Sequence, residues 1–401
     1  MRLLFVSSDF LPTIGGISLM VHGLAEACVE LGHEVVVLAP GSGNGIDPSL
    51  PYPVIRDTRR PARRWQRVAR LLDERRTNSR VNDIVRDFAP EAILLGVYKR
   101  YAAACLRVRE RFGIPVGGLV HGLDVVSVLG RRPSRLVSLL GALGSPNRER
   151  VLAYLLHADR IFANSSATSA HVERLCGRRP LTIGCGVRAA VLPTMTGMEQ
   201  AMRERPAIRV RLGLRDVPTI GFLGRLVARK NVEAVLESLS VLPECNALIV
   251  GDGPARTHLQ SLARDLGVDD RAIFVGEVSE QSKWDYLRAM DVFCLPSREV
   301  AGYNFEGFGI AFLEATVAGV PVVGGRSGGI PDVVAHERTG LLADPDDWRD
   351  VAGCLRRMLE NRDLAASCVR AAQAQLRIQF TWPVIAQRII DELRAAAVAI
   401  P

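Results

Sequence analysis

The chain predicts an α/β protein of two Rossmann-like parallel-sheet domains, and three observations carry that expectation. At 401 residues it is longer than one compact core usually serves. Its first forty residues read as strand, Gly-rich loop, amphipathic helix and strand, a βαβ unit of the kind that builds parallel sheets. The same alternation restarts after a stretch that loses periodicity and carries Pro193, Gly197 and Pro206. The expected division is residues 1–190, a linker at 191–206, a second domain at 207–380, and a C-terminal helix at 381–401 crossing back to the first domain.

In order, Leu3–Ser8 is a short apolar run of the buried-strand type. A loop ending in Gly15-Gly16 follows, then a helical pattern from Ile17 to Leu31 stopped by Gly32, then the strand Glu34–Leu38. Two adjacent glycines let backbone N–H groups come close to a ligand, and they serve a plain tight turn equally well. Ala92–Val97 and Val116–His121 read as strands, the second running into His121-Gly122-Leu123-Asp124. A histidine at a strand's carboxyl end stands where open α/β sheets bind ligands, although a lone histidine is more often structural. Arg131–His157 reads as helix, Arg160–Ser165 as a strand, and Leu181–Val187 closes the half. In the second half, Thr219–Leu223, Ala247–Val250, Ile273–Val275, Val292–Leu295 and Pro321–Gly324 read as strands, with helices to Leu242 and around Lys283–Met290.

Composition excludes several classes. The chain is 48% hydrophobic and 23% charged, which argues against wholesale disorder. Its eight cysteines are scattered, with no Cys-x-x-Cys and no Cys/His cluster at metal spacing, so a reducing cytosol and no structural metal are expected. No signal peptide and no run long enough to span a membrane is visible. The charge is uneven: residues 1–195 carry 27 basic and 16 acidic residues against 24 and 27 in the remainder. That points to an anionic partner met through the first half. Arg59–Arg80 is its most basic stretch, with Trp65, Val68 and Leu72 at helical spacing. It is either a solvated helix packed on the sheet or one lying on an anionic membrane. Nucleic acid fits poorly, because the run lacks interleaved aromatics.

The chemistry concentrates in the second half. Asn304-Phe305-Glu306-Gly307-Phe308-Gly309 leads into an apolar run carrying Glu314, eight residues after Glu306. If the run from Gly309 is a helix, Glu306 stands in the loop entering it, beside N–H groups without intrahelical partners. A phosphate would suit that place. A surface acid pair explains the spacing as well. Upstream, Gly224-Arg225 and Lys230 occupy a strand-to-helix loop, where two cations suit a diphosphate gaining charge as it leaves. Cations and amides would hold phosphates while carboxylates accept from sugar or ribose hydroxyls. No Asp-x-Asp stands at a strand end with obvious metal-site neighbours, so protein cations rather than a metal are expected to neutralise charge.

On these residues the chain resembles the family 4 glycosyltransferases of the GT-B fold, the retaining, nucleotide-sugar-dependent group. The resemblance rests on Glu306-x7-Glu314, on Gly224-Arg225 with Lys230, and on Ser327-Gly328-Gly329-Ile330-Pro331-Asp332. Gly15-Gly16, His121-Gly122 with Asp124, Asn164-Ser165, Gly251-Asp252-Gly253-Pro254 and Leu295-Pro296-Ser297 support it. It implies two domains facing each other across a cleft, a UDP- or GDP-linked hexose donor, a hydroxyl acceptor and no cofactor. It further implies that Arg225 and Lys230 stabilise the leaving diphosphate, that Glu306 meets the donor sugar and that Glu314 holds the ribose. The amides of Phe308, Gly309 and Ile310 would contact sugar or phosphate, His121 would lie near the transferred sugar, and Gly15-Gly16 would approach the phosphates. Retention by front-face attack, with the leaving phosphate assisting deprotonation of the acceptor, is implied as well.

Two positions depart from the family pattern: Cys185 stands where Asn is usual before Gly186-Val187, and Asn231 where Gly usually follows the lysine. Asn tolerates positive φ, so the second change is compatible with the same turn. A sugar phosphorylase on the same fold, or a non-catalytic protein binding sugar nucleotides or glycans, are the competing readings. A dinucleotide-dependent dehydrogenase is weaker, since no Gly-x-Gly-x-x-Gly follows the first strand. A cytoplasmic protein is expected, with peripheral contact at the inner face of the membrane through Arg59–Arg80.

Overall fold

The computed structural model describes residues 1–12, 15–41, 49–58, 67–97, 100–122, 146–301 and 304–399. They fall into two compact units, Met1–Arg188 with Trp382–Pro401, and Ala189–Thr381.

The first unit is built on strands β1 (Arg2–Val6), β2 (Glu34–Pro40), β3 (Val54–Asp57), β4 (Ala92–Leu95), β5 (Val116–Val120), β6 (Arg160–Ala163) and β7 (Leu181–Thr182). They lie in the order β3-β2-β1-β4-β5-β6-β7, every pair parallel. Helices α1 (Gly16–Glu30), α2 (Arg67–Phe88), α3 (Ala102–Phe112), α4 (Pro146–His157) and α5 (Ser166–Cys176) connect them. Such strands are covered on both faces, which is why they read as unbroken apolar runs. Leu4, Val6, Ile93, Leu95, Val116 and Val120 form the core on one face. The final helix, α14 (Trp382–Val398), belongs to this unit: it packs on α1, where a Cβ at Gly23 would meet Trp382 Nε1 at 2.2 Å.

The second unit carries β8 (Thr219–Leu223), β9 (Asn246–Val250), β10 (Ala272–Gly276), β11 (Val292–Leu295), β12 (Val322–Gly325) and β13 (Leu341–Ala343) in the order β10-β9-β8-β11-β12-β13, again all parallel. Its helices are α6 (Met198–Arg211), α7 (Val232–Leu239), α8 (Arg256–Asp265), α9 (Lys283–Arg288), α10 (Ile310–Val317), α11 (Ile330–Val333), α12 (Trp348–Glu360) and α13 (Arg362–Gln379). Each sheet reverses its winding once, between β1 and β4 and between β8 and β11. The crevice outside the carboxyl ends at such a reversal is where open α/β sheets bind ligands.

The linker expected at residues 191–206 is a correction. A 3-10 turn, Ala189–Thr194, and helix α6 occupy it, and both belong to the second unit. Pro206 lies inside α6 and argues locally against a helix. Buried arginines override it. Arg205 and Arg209 are 4% and 3% exposed, and both reach Asp291, at 2.6 and 2.5 Å. Arg209 also donates to the carbonyl of Ala289 and to Asp216. Within Leu181–Val187, which closes the first half, Leu181–Thr182 form β7, and the edge strands β3 and β13 were not expected. The helix read over Arg131–His157 is described only as α4, and residues 123–145 lie outside the described residues.

Candidate active site

The loop after β8 is set by its neighbour after β9. Gly224 N donates to the Val250 carbonyl at 3.0 Å and Leu226 N to the Asp252 carbonyl at 2.9 Å. A Cβ at Gly251 would come within 2.0 Å of the Gly224 carbonyl oxygen, and one at Gly253 within 2.3 Å of that of Leu226. The Gly-Asp-Gly-Pro segment is thus glycine-rich because two backbones touch there. With Leu226 fully buried, Arg225 beside it is exposed and makes no hydrogen bond or ion pair with the described residues. The chain then tightens into a 3-10 turn, Ala228–Lys230, closed by Asn231 at φ 52°. Asn231 Nδ2 donates to the Pro345 carbonyl at 2.7 Å, which fixes the turn. Asparagine therefore supplies the positive φ expected of it.

That turn aims Lys230 inward. Its Nζ lies 2.5 Å from Glu306 Oε2, with Arg229 Nε 4.0 Å from the same oxygen. Glu306 and Lys230 are 8% and 9% exposed. The two groups form a buried ion pair. Burial pushes the Glu306 carboxyl up; Lys230, and behind it Arg229, pull it down further and hold it below the usual carboxylate range. The Ser327–Asp332 loop backs this residue. Gly329 N donates to the Glu306 carbonyl at 2.9 Å, and Gly328, at φ 56°, has no room for a Cβ against that carbonyl.

Downstream, Phe308 is buried with its ring edge-on to Phe380 at 5.4 Å, so only its backbone can face a ligand. Gly309, at φ 92°, precedes α10 without a side-chain cap, which leaves first-turn N–H groups beginning at Ile310. Glu314 is the fifth residue of α10. Its Oε1 accepts from Lys283 Nζ at 2.6 Å, and Lys283 also meets Glu280 at 2.6 Å. Burial depresses the proton affinity of Lys283, but Glu314 and Glu280 raise it more, so this ammonium stays charged. The two acids are therefore served by different lysines.

Arg229 and Lys283 are absent from the residues expected on sequence grounds. Arg229 was visible as the neighbour of Lys230; Lys283 carried only the signal of a helix start.

The other expected residues lie in the first unit. Gly15 is extended, at φ −168°, and precedes α1, while a Cβ at Gly16 would meet nothing within 4 Å. These glycines leave open space at a helix N-terminus rather than relieving a strained turn. His121 follows β5, and its Nε2 lies 2.9 Å from the Gly96 carbonyl beyond β4, which makes that nitrogen the donor. Asp124 and residues 59–66 of the basic stretch lie outside the described residues, and of residues 67–80 the structure describes helix α2. Among the described residues, no three His, Cys, Asp or Glu side chains group closely enough to hold a metal, and no helix is long and apolar enough to cross a membrane. All eight cysteines are free, and burial pushes the Cys105 thiol up to about 12.

Cations on one loop and carboxylates on the next, at a sheet's winding reversal, can bind a sugar nucleotide's diphosphate and hydroxyls together. Comparisons with known proteins agree with that geometry. The model described as "Glycosyl transferases group 1" matches residues 204–375, and that described as "Glycosyltransferase Family 4" matches residues 14–190. A GDP-mannose-dependent alpha-(1-6)-phosphatidylinositol monomannoside mannosyltransferase of Mycobacterium tuberculosis is 37% identical over 195 residues. The match covers 47% of this chain and spans about half, 51%, of that relative. The protein of the same description from Mycolicibacterium smegmatis is 28% identical over 410 residues, 98% of each chain. Among solved structures, sucrose-phosphate synthase from Thermosynechococcus elongatus aligns with a TM-score of 0.76 at 22% identity, over 99% of each chain. Anabaena HepE in complex with UDP-glucose aligns at 0.71 and 20%, over 98% of this chain and all of that one. With one model on each unit and the GT-B fold in its structural neighbours, the chain belongs to the family 4 glycosyltransferases.

Proposed function

We propose that this protein transfers mannose from GDP-mannose to a hydroxyl group of a phosphatidylinositol mannoside, with retention of anomeric configuration and without a metal. The observation that carries the reading is the buried Lys230–Glu306 pair, 2.5 Å apart, with exposed Arg225 on the same loop as Lys230. The choice of donor and acceptor is supported by the relatives matched along their length. One is the Mycolicibacterium smegmatis mannosyltransferase above. Another, a GDP-mannose-dependent monoacylated alpha-(1-6)-phosphatidylinositol monomannoside mannosyltransferase of Corynebacterium glutamicum, is 27% identical over 98% of each chain.

In this reading Arg225, which has no partner among the described residues, takes the diphosphate, and Lys230 joins it as the bond from the anomeric carbon to phosphate breaks. Glu306 accepts from a hydroxyl of the transferred sugar, and Glu314 from the ribose. The amides of Phe308, Gly309 and Ile310 meet sugar or phosphate at the helix start. The acceptor oxygen bonds to the anomeric carbon on the face the phosphate leaves, and its proton passes to that phosphate. No separate base is required. Arg59–Arg80 would rest on anionic lipid, bringing the enzyme to its acceptor at the membrane surface.

The test is turnover of GDP-mannose, UDP-glucose and ADP-glucose with a phosphatidylinositol mannoside acceptor, with and without a chelator. The product's anomeric configuration is read by NMR. GDP-mannose should be used with retention and without loss on chelation. Replacing Arg225, Lys230 or Glu306 by alanine should each cut turnover at least ~10²-fold. Preference for a uridine donor, or near-wild-type rates in all three variants, would overturn the assignment.

A further inference from the structure

We infer that Arg229 is a positioning residue that keeps Glu306 ionised while the donor's diphosphate engages Lys230. The inference rests on the function proposed above and adds a division of labour among the three cations of one loop.

Glu306 is buried and its carboxylate has two cationic neighbours, Lys230 at 2.5 Å and Arg229 at 4.0 Å. Both cations pull its proton affinity down against the effect of burial. The Ser327–Asp332 loop meets it through backbone, at Gly328 and Gly329, and Glu314 on α10 is occupied by Lys283. Lys230 is a point charge with two anions to serve once a diphosphate arrives. If it were the sole counterion, the incoming negative charge would compete for it and would raise the proton affinity of Glu306. A protonated Glu306 would offer one acceptor fewer to the sugar hydroxyl it has to hold.

Arg229 is placed to prevent this. A guanidinium is a permanent cation over the range in which a carboxylate titrates. Its Nε is buried and has no hydrogen-bond partner among the described residues. Its backbone is pinned as well, because Arg298 N donates to the Arg229 carbonyl at 2.9 Å. A buried donor without an acceptor, 4.0 Å from a carboxylate that will share its lysine, needs only a small adjustment to take over. Exposed Arg225, by contrast, makes no ion pair with Glu306 among the described residues and remains for the phosphates.

The experiment is the pH dependence of kcat at saturating GDP-mannose for the wild type, Arg229→Gln and Arg229→Lys, with calorimetric GDP affinity for each. In Arg229→Gln the acid limb of kcat should move up by about one pH unit or more, as expected for losing an opposite charge at this range. GDP affinity should stay within about threefold of wild type, because Arg229 does not hold the diphosphate. Arg229→Lys keeps the charge, and its acid limb should stay within about half a unit of the wild type. That variant keeps the test intact if the glutamine variant does not fold, since a limb displaced as far in it as predicted for glutamine overturns the inference. An unmoved limb in Arg229→Gln also overturns it, whether GDP affinity falls or not; a fall would make Arg229 a third diphosphate ligand instead. The parent reading fails separately, if Lys230→Ala turns over at near the wild-type rate.

Discussion

Gly328 offers the sharpest test of how the site is held. The residue sits at φ 56°, and a Cβ there would lie 2.4 Å from the Glu306 carbonyl oxygen, 3.0 Å from Phe305 Cδ2 and 3.2 Å from Glu306 N. Since Cβ atoms do not approach below 3.0 Å, the Glu306 backbone must retreat by about 0.6 Å in Gly328→Ala. Three costs combine. The left-handed conformation costs alanine about 1–2 kcal/mol. Overpacking costs about 1–3 kcal/mol. Weakening the Gly329–Glu306 hydrogen bond costs about 1 kcal/mol more. A loss of about 3–6 kcal/mol should lower the melting temperature of a unit this size by roughly 10–20 °C.

Activity should suffer beyond stability, because the displaced backbone carries the carboxylate that pairs with Lys230. A misplacement of this order should reduce kcat at least ~10-fold at temperatures where the variant is folded. Gly353, inside α12, is the control. A Cβ there meets nothing within 4 Å, so Gly353→Ala should be neutral or slightly stabilising, by up to about 1 kcal/mol. Differential scanning calorimetry with donor-hydrolysis kinetics reads both quantities. If Gly328→Ala melts and turns over like Gly353→Ala, the Ser327–Asp332 loop does not buttress Glu306.

Two further expectations concern ion pairs. On the proposed assignment of Glu314 to the ribose, Lys283→Ala leaves that acid without its cation, and GDP affinity should fall about 10-fold by calorimetric titration. The proton affinity of Lys283 is raised, so its pairing persists below the elevated value and is lost only as pH climbs past it; wild-type GDP affinity should not titrate on account of Lys283 between about pH 6 and 9. Unchanged affinity in the variant would detach Lys283 from the site. Arg209→Ala strips a buried cation from Asp291 and should cost about 3–5 kcal/mol in urea unfolding. A loss under about 1 kcal/mol would mean that apolar packing, and not the arginine pair, holds α6.

How much of the fold could be read from the residues follows from where each element buries its surface. Central strands such as Thr219–Leu223 and Val292–Leu295 are covered on both faces, so their apolar runs announce them to the residue. Edge strands leave less of a mark. β3 is Val-Ile-Arg-Asp, with two of its four residues only partly buried, and β13 is three residues long. Helix α6 is hidden for another reason. Its internal proline argues for a break, and the groups that fix it are two arginines whose partner, Asp291, is about eighty residues further on. Local pattern carries no trace of an ion pair that remote. Helix α12 carries a local signal, Val351, Leu355 and Met358 at helical spacing behind the capping Asp347, although it is not among the elements read from the sequence above.

The site divides along the same line between what is local and what topology supplies. Residue types at short spacing mark Arg225 with Lys230, and Glu306 with Glu314, but spacing treats the members of each pair as equals. The winding of the sheet separates them. β8 and β11 are neighbours although about seventy residues apart, so the loop after β8 comes against the loop after β11 and Lys230 is consumed by Glu306. Arg225, one turn earlier beside a buried leucine, is left exposed for a ligand. Glu314 lies far enough along α10 to meet α9 instead, and Lys283 from that helix takes it. The two carboxylates thus begin with different counterions, and only one of those, Lys230, is expected to be drawn off by the diphosphate. That difference makes Glu306 the acid in need of a second cation within reach, and Arg229 stands 4.0 Å away.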